Sequence, residues 1–289
     1  TLGSTLDVSG NTTINNGNFT IKDGSDASKF VVTAASGNTA ISGTLDTTGD
    51  FKVNTNKFVV VILLGLFSSS VTLADSPANI IEKAVNNPAR SDKDRERDKT
   101  SKPAEVLGFF DVKPGMKILD FLSGGGYWSE VMAGVVGENG QVVAHTNEAY
   151  KKFVGDAITE RFGNDRLPAV KRLTTEMPAL ELGSETYDLI LMVMTYHDVY
   201  YVADYWPVVD REGFFKQIHS ALKPGGILAI IDHSAKPGTG KSAAQTLHRI
   251  DEDFARKDIE SAGFKFEASS DVLRNADDDR TIQVFEETI

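Results

Sequence analysis

The sequence contains no cysteine. That removes a disulfide framework, a thiolate zinc site and a cysteine nucleophile from the chemistry open to it. Basic side chains are also in short supply, with 30 Lys and Arg against 41 Asp and Glu and a net charge of -11. An acidic chain lacks the counterion-displacing surface on which phosphate-backbone binding depends, so no nucleic-acid partner is expected. The apolar run Phe58 to Phe67 has ten residues, against roughly 20 for a helix that spans a bilayer. The G-x-G-x-x-G spacing of nicotinamide dinucleotide sites is absent as well. What is present suffices for a packed core: 40% of the residues are apolar, and 289 residues allow one large or two moderate domains.

Two compositions meet in the chain. Residues 1–57 are rich in Thr, Ser, Asn, Gly and Asp and hold only four basic and five acidic side chains, so nearly all the net charge lies later. Short words recur there, such as Gly17-Asn18-Phe19-Thr20-Ile21 with Gly49-Asp50-Phe51-Lys52-Val53, and Ser28-Lys29-Phe30-Val31-Val32 with Asn56-Lys57-Phe58-Val59-Val60. Alternating apolar words punctuated by Gly and Asn predict strands of a repeat array that buries little per unit and gains by self-association. The segment resembles the repeats of phage tail fibres; a disordered polar leader is the alternative. Residues 58–74 follow, with Lys57 before the apolar run and small residues at Thr72 and Ala74. This matches a secretory signal peptide cleaved after Ala74, with transient membrane contact and an exported or periplasmic domain, or a cytoplasmic one if the run is inert. Its internal position suggests a chimeric chain, two unrelated sequences joined at Asn56 to Val60.

Residues 75–289 read as one globular domain. Strands are predicted at 118–122, 142–146, 170–174, 187–194 and 227–232, and helices at 77–85, 103–110, 127–136, 148–162, 210–222 and 252–262. Such alternation predicts an α/β fold with a mostly parallel, doubly wound, Rossmann-like sheet. Two further strand-like runs, 264–269 and 281–286, have no helix between them and are expected to form a C-terminal antiparallel hairpin at the sheet edge. The charge-dense run 88–102 precedes the first strand closely enough to act as a lid over a ligand.

The stretch Lys117 to Glu130, KILDFLSGGGYWSE, organises this domain. It reads as strand, glycine bend, helix. Glycines serve where the backbone doubles back and presses on a ligand, and the helix behind offers unpaired N–H groups. Asp120, at the strand end, stands where a bound molecule can donate hydrogen bonds to it. The bend, the Lys223-Pro224-Gly225-Gly226 turn and the words Tyr196-His197-Asp198, Asp232-His233-Ser234 and Leu247-His248-Arg249-Ile250-Asp251 together resemble the class I S-adenosylmethionine-dependent methyltransferases. They are nearest to a group of bacterial members that carry signal peptides.

The resemblance covers 75–289 and implies S-adenosylmethionine as cofactor and a small-molecule methyl acceptor. It implies that Ser123, Gly124, Gly125, Gly126 and Tyr127 pass beneath the methionine part, with Asp120 close to its amino group. Thr146, Asn147 and Glu148 stand where the family carries a ribose-binding carboxylate, and Glu176 is an adenine neighbour. Leu122 replaces the first glycine of the family pattern.

In an open parallel sheet, ligands sit outside the carboxyl ends of the strands near the switch in strand order. His197 and Asp198 follow the fourth strand, and Asp232 and His233 end the fifth, so all four are expected to converge on the glycine bend. His248 begins the next element and closes over the same crevice. Methyl transfer from a sulfonium needs alignment and a base for an O–H or N–H acceptor, for which a histidine beside a carboxylate is suited. His197, Asp198, His233 and His248 are therefore the candidate catalytic residues. No spaced ligand motif assigns a metal, although His197, His233, Asp198 and Asp232 are chemically able to hold one. The aromatic cluster Tyr200, Tyr201, Tyr205 and Trp206 offers packing or an acceptor pocket. Two rival readings are a P-loop at Ala235 to Ser242, whose first glycine is replaced by Ala235, and a non-catalytic ligand-binding or fibre-associated surface protein.

Overall fold

A computed structural model describes residues 76–286 in full and, before them, the backbone of two strands. The chain divides into two units, Thr1–Thr72 and Leu73–Ile289, each taken by itself. In the first, β1 (Asn18–Lys22) pairs antiparallel with β2 (Ser28–Thr33), with a register shift after Ile21. These strands coincide with two of the recurring words. The other words, and the signal-like run 58–74, lie outside the described residues.

The second unit opens with helices whose starts are written locally. Ser76 caps α1 (Pro77–Val85) by accepting the Asn79 amide at 3.3 Å, with proline at the first helical position. Ser91 does the same for α2 (Asp92–Ser101) through Asp94, and Pro103 starts α3 (Pro103–Phe109) after a left-handed Lys102. The glycine bend then joins β3 (Lys117–Phe121) to α4 (Tyr127–Val136).

Five strands, β3, β4 (Gln141–Thr146), β5 (Val170–Thr174), β6 (Tyr187–Val193) and β7 (Leu222–Ile231), form one parallel sheet in the order β5-β4-β3-β6-β7. Period-two alternation sorts the strand side chains between two core layers. Ile118, Val142, Leu189 and Leu191 pack with α1, α3 and α4, while Leu119, Phe121, Ile190 and Met192 pack with Phe214, Phe215 and Ile218 of α7 (Arg211–Ala221). The chain reverses direction across the sheet at β3, so β3, β6 and β7 stand side by side and their carboxyl ends share one crevice.

Two expectations are corrected. The helix expected over 148–162 is two, α5 (Glu148–Val154) and α6 (Ala157–Phe162), because Gly155 takes φ 62° between them. The C-terminal hairpin is not formed: residues 264–286 contain no strand, and the sheet is parallel throughout. Short polar side chains there capture nearby amides instead, Asn275 that of Asp277, Asp278 that of Arg280 and Asp279 that of Thr281. These local turns compete with a ladder. Beside β7 an open groove of about 2070 Å³, lined in part by Ile227, Phe264 and Phe266, occupies the region expected for the hairpin. The last helices, α8 (Ser242–Leu247) and α9 (Glu252–Ser261), follow β7. Among the described residues no helix is long and apolar enough to cross a membrane.

Candidate active site

Asp120 closes β3 and is buried at 2% exposure, with the Ser129 hydroxyl donating to its Oδ2 at 2.5 Å. Burial raises its pKa to about 7 despite the Ser129 hydroxyl and amide, which favour the charged form. Its carboxylate is thus bound to the first turn of α4. The Ser123 amide donates to the His145 carbonyl at 2.9 Å and Gly126 N–H to the Ser123 carbonyl at 2.9 Å, which fixes the bend. Gly124 takes φ 57° and Gly126 φ 78°. A Cβ on Gly126 would collide with Phe162 and Arg161, so α6 abuts the bend, and the left-handed φ favours glycine there. Leu122 also takes a left-handed φ, 49°, yet its side chain is buried in the core cluster, so it leaves the bend uncrowded.

Among the described residues, one ribose candidate has a buried group with no partner. The Thr146 hydroxyl donates to the Asn147 carbonyl, Glu148 pairs with Lys151, and Glu176 accepts the Glu148 amide at 3.0 Å. Asn147 Oδ1 caps α5 through the Tyr150 amide at 2.7 Å, which leaves its buried Nδ2 with no partner. Trp128 Nε1 and Thr195 Oγ1 are likewise buried and unpartnered. Buried donors are rarely left unpaired, and these three belong to the segments after β4, β3 and β6, where a ligand would supply acceptors. The residues present fit S-adenosylmethionine on that ground.

The charged run, expected as a lid, packs against the start of α4. Tyr127 donates to Asp98 at 2.6 Å, Asp98 pairs with Arg90, and Arg97 lies 4.1 Å from the Tyr127 ring centre. Tyr127 is therefore tied to α2 through its hydroxyl. Arg161 bridges Asp94 of α2, at 2.7 Å, to Glu130 of α4 and donates to the Gly125 carbonyl, while Arg166 takes Glu130 from the other side at 2.7 Å.

Across the crevice, His197 Nδ1 and Asp232 Oδ1 are 2.8 Å apart, and the His197 amide donates to Asp232 Oδ2 at 2.8 Å. The other ring nitrogen, Nε2, lies 3.4 Å from Asp198 Oδ1 and 3.3 Å from His248 Nδ1. Burial opposes charge on His197, but Asp232 and Asp198 outweigh it and its pKa is raised. Burial, with Asp232 adding to it, lifts Asp198 to about 6. His248 is lowered by burial and by the His197 charge. His197, Asp198 and His248 thus come together. The fourth candidate, His233, contributes its amide to Asp232 at 2.8 Å, and among the described residues its ring makes no hydrogen bond.

Tyr150 connects the two sides. Its ring would lie 3.9 Å from a Cβ on Gly124, it meets Trp206 edge-on at 6.1 Å, and the Trp206 indole donates to the Asp198 carbonyl at 3.1 Å. Burial raises its pKa, with the charges of Asp198, Asp120 and Asp232 adding. Sequence reasoning missed Tyr150. Its signal was faint: an aromatic one turn into the helix that follows a ligand-facing strand end. Rings border the cluster, half-buried Tyr201 at 4.6 Å and exposed Phe285 at 5.0 Å from His248, with exposed Phe153 6.3 Å from Phe285.

The P-loop rival fails on geometry. The Gly238 and Gly240 amides, at 2.6 and 3.2 Å, are taken by the Asp251 carboxylate, so the cradle already holds an anion.

Residues 86–161 match the family model for protein-L-isoaspartate(D-aspartate) O-methyltransferase. The described domain has an α/β fold built on one five-stranded parallel sheet. S-adenosylmethionine is the cofactor that this family implies. Demethylmenaquinone methyltransferases of Bacillus cereus (strain AH187) and Bacillus anthracis (strain A0248) are 29% identical over 130 residues, which is 45% of this chain and 50% of each relative. The chain spans about half the length of the curated relatives it matches. A solved S-adenosylmethionine-dependent methyltransferase from Aquifex aeolicus shares 24% identity, covering 66% of this chain and 89% of its own at a TM-score of 0.47.

Proposed function

We propose that the domain binds S-adenosylmethionine over the glycine bend and transfers its methyl group to an O–H or N–H of a small, flat or apolar acceptor. The observation that carries the reading is the position of Tyr150. Its ring would lie 3.9 Å from a Cβ on Gly124 and it feels the charges of Asp198, Asp120 and Asp232, so one side chain borders the bend and senses the acids of the His197 cluster. A methyl donor on the bend would then face the imidazole directly.

Each residue has a task in this reading. Ser123 to Gly126 hold the donor's methionine part, Asp120 balances its positive charge from beneath, and Asn147 Nδ2 meets a ribose oxygen. The bound cofactor supplies an electrophilic methyl on sulfur. Asp232 holds the His197 ring so that Nε2 faces the cleft, and that nitrogen takes the acceptor's proton. Tyr201, Tyr205, Trp206 and Phe285 furnish ring faces for a flat acceptor.

Isothermal titration with S-adenosylmethionine and with ATP tests the binding step. One site for the first and none for the second is expected, with Asn147→Ala weakening it about threefold to tenfold for one lost hydrogen bond. Silence toward S-adenosylmethionine overturns the reading. Transfer of a labelled methyl to a panel of phenols and aromatic amines tests the chemistry. Binding with no transfer to any of them favours the non-catalytic alternative.

A further inference from the structure

We propose that His197 Nε2, His248 Nδ1 and Asp198 Oδ1 form a three-ligand site for a divalent transition-metal ion, of the zinc or cobalt class, in the mouth of the cleft. The distances are the first argument. His197 Nε2 stands 3.3 Å from His248 Nδ1 and 3.4 Å from Asp198 Oδ1, and all three ligand atoms lie within 4.8 Å of one another. Ligand atoms around a four-coordinate ion with bonds of about 2.0–2.2 Å stand roughly 3.3–3.6 Å apart.

The second argument is the state of each ligand atom. With its Nδ1 proton on Asp232, His197 has one tautomer available, and Nε2 carries a lone pair aimed at the carboxylate of Asp198. In the neutral ring that lone pair faces the carboxylate, and in the cationic ring a proton stands there, which a bound ion would displace. Asp198 is 8% exposed, and among the described residues its carboxylate accepts no hydrogen bond from another side chain or amide. A buried carboxylate without donors calls for a cation. Asp232 stands behind His197 as the carboxylate that orients and strengthens a metal-bound imidazole. Both Asp198 and Asp232 add negative charge for an ion.

Three ligands leave a fourth position open. It points to the cleft of the proposed methyl transfer, on which the ion's role rests, although its binding does not. There it would take the acceptor's oxygen or nitrogen and lower its pKa. The acceptor's proton would then pass to water and its lone pair remain on the metal-bound atom, in place of proton transfer to His197.

The full chain, without a histidine tag and stripped with a chelator, is titrated with cobalt(II) and followed by visible absorption, with zinc as competitor. One ion per chain, with the intense bands of four-coordinate cobalt, is expected. His248→Gln and Asp198→Asn should each weaken binding at least tenfold, Asp232→Asn tenfold to a hundredfold, and His219→Gln not at all. Titration of S-adenosylmethionine into the same variants reports that the domain is folded. No saturable cobalt signal in a chain that binds S-adenosylmethionine overturns the metal site and spares the methyl-transfer reading. So does a signal that His248→Gln and Asp198→Asn leave unchanged. Cobalt binding without S-adenosylmethionine binding supports the metal site and sinks the other reading.

Discussion

His197 and Asp232 meet twice: the carboxylate accepts the backbone amide of His197 at 2.8 Å and faces its ring Nδ1 at 2.8 Å. One side chain from the end of β7 thereby fixes both the backbone and the tautomer of a residue that follows β6. The pair exists because β6 and β7 run parallel in register, Val193 opposite Ile231, so the residues beyond their carboxyl ends emerge together.

This pairing predicts a titration. The His197 pKa is raised because Asp232 and Asp198 outweigh burial, so it should titrate above the ordinary 6.5 in an NMR pH series. Asp232→Asn removes the larger of the two charges and should bring it down, with the methyl-transfer rate reaching its plateau at lower pH but about 100-fold or more reduced. The sign for stability follows. A raised pKa means that the ion pair's contribution is present below the unfolded value and is lost as pH rises through the folded one. An unshifted His197 in the Asp232→Asn variant would refute the coupling.

Asp120 supplies the second pH signature. Burial lifts its pKa to about 7, so the folded state holds a proton that the unfolded chain has already released. Stability from this residue is full below about 4 and falls as pH rises toward 7. Asp120→Asn should flatten that slope in urea denaturation between pH 4 and 7. S-adenosylmethionine, a cation at sulfur and amine, should expel the proton, which calorimetry in buffers of different ionisation enthalpy reads directly. Equal heats in all buffers would count against it.

The sequence told more about the sheet than about the contacts that close it. Strand and helix positions were legible wherever apolar periodicity met punctuation: Ser76-Pro77 begins α1, and the glycine bend separates β3 from α4. The convergence of His197, Asp198 and Asp232 was legible too, because residues beyond the carboxyl ends of neighbouring parallel strands must meet. Tyr150 was not, since its role depends on where α5 lands. Nor was Asp251, whose carboxylate fills the glycine loop it follows by eleven residues. The C-terminal words alternate like strands, but alternation names no partner, and the Asn and Asp side chains between them fold on their own amides.

Leu122 offers a test of why the family's glycine was dispensable. A left-handed φ costs an L-residue about 1 kcal/mol or more, while a buried leucine returns more than that in apolar burial. Leu122→Gly would relieve the strain, lose the core contacts and add backbone freedom to the unfolded chain. The expected balance is a loss of about 2 kcal/mol in urea denaturation, with S-adenosylmethionine affinity unchanged because the side chain faces the core. A stabilised variant would mean that the backbone term outweighs packing.

Arg161 joins three elements that meet only in the folded state: Asp94 on α2, Glu130 on α4 and the Gly125 carbonyl of the bend. Arg161→Ala does not strip them equally. Glu130 keeps Arg166 at 2.7 Å, whereas Asp94, 5% exposed, loses its ion partner and keeps the Ser91 side chain, the more distant charge of Arg90 and its place in the first turn of α2. The cost should therefore come from one buried carboxylate left without its ion pair, about 3 kcal/mol, and fall chiefly on the attachment of α2. Proteolysis should cut the 92–101 segment faster in Arg161→Ala. Adding Asp94→Asn should restore much of the loss, because the orphaned charge is gone. Cleavage no faster than in the parent chain would mean that Arg90 and Tyr127, through Asp98, hold α2 without Arg161.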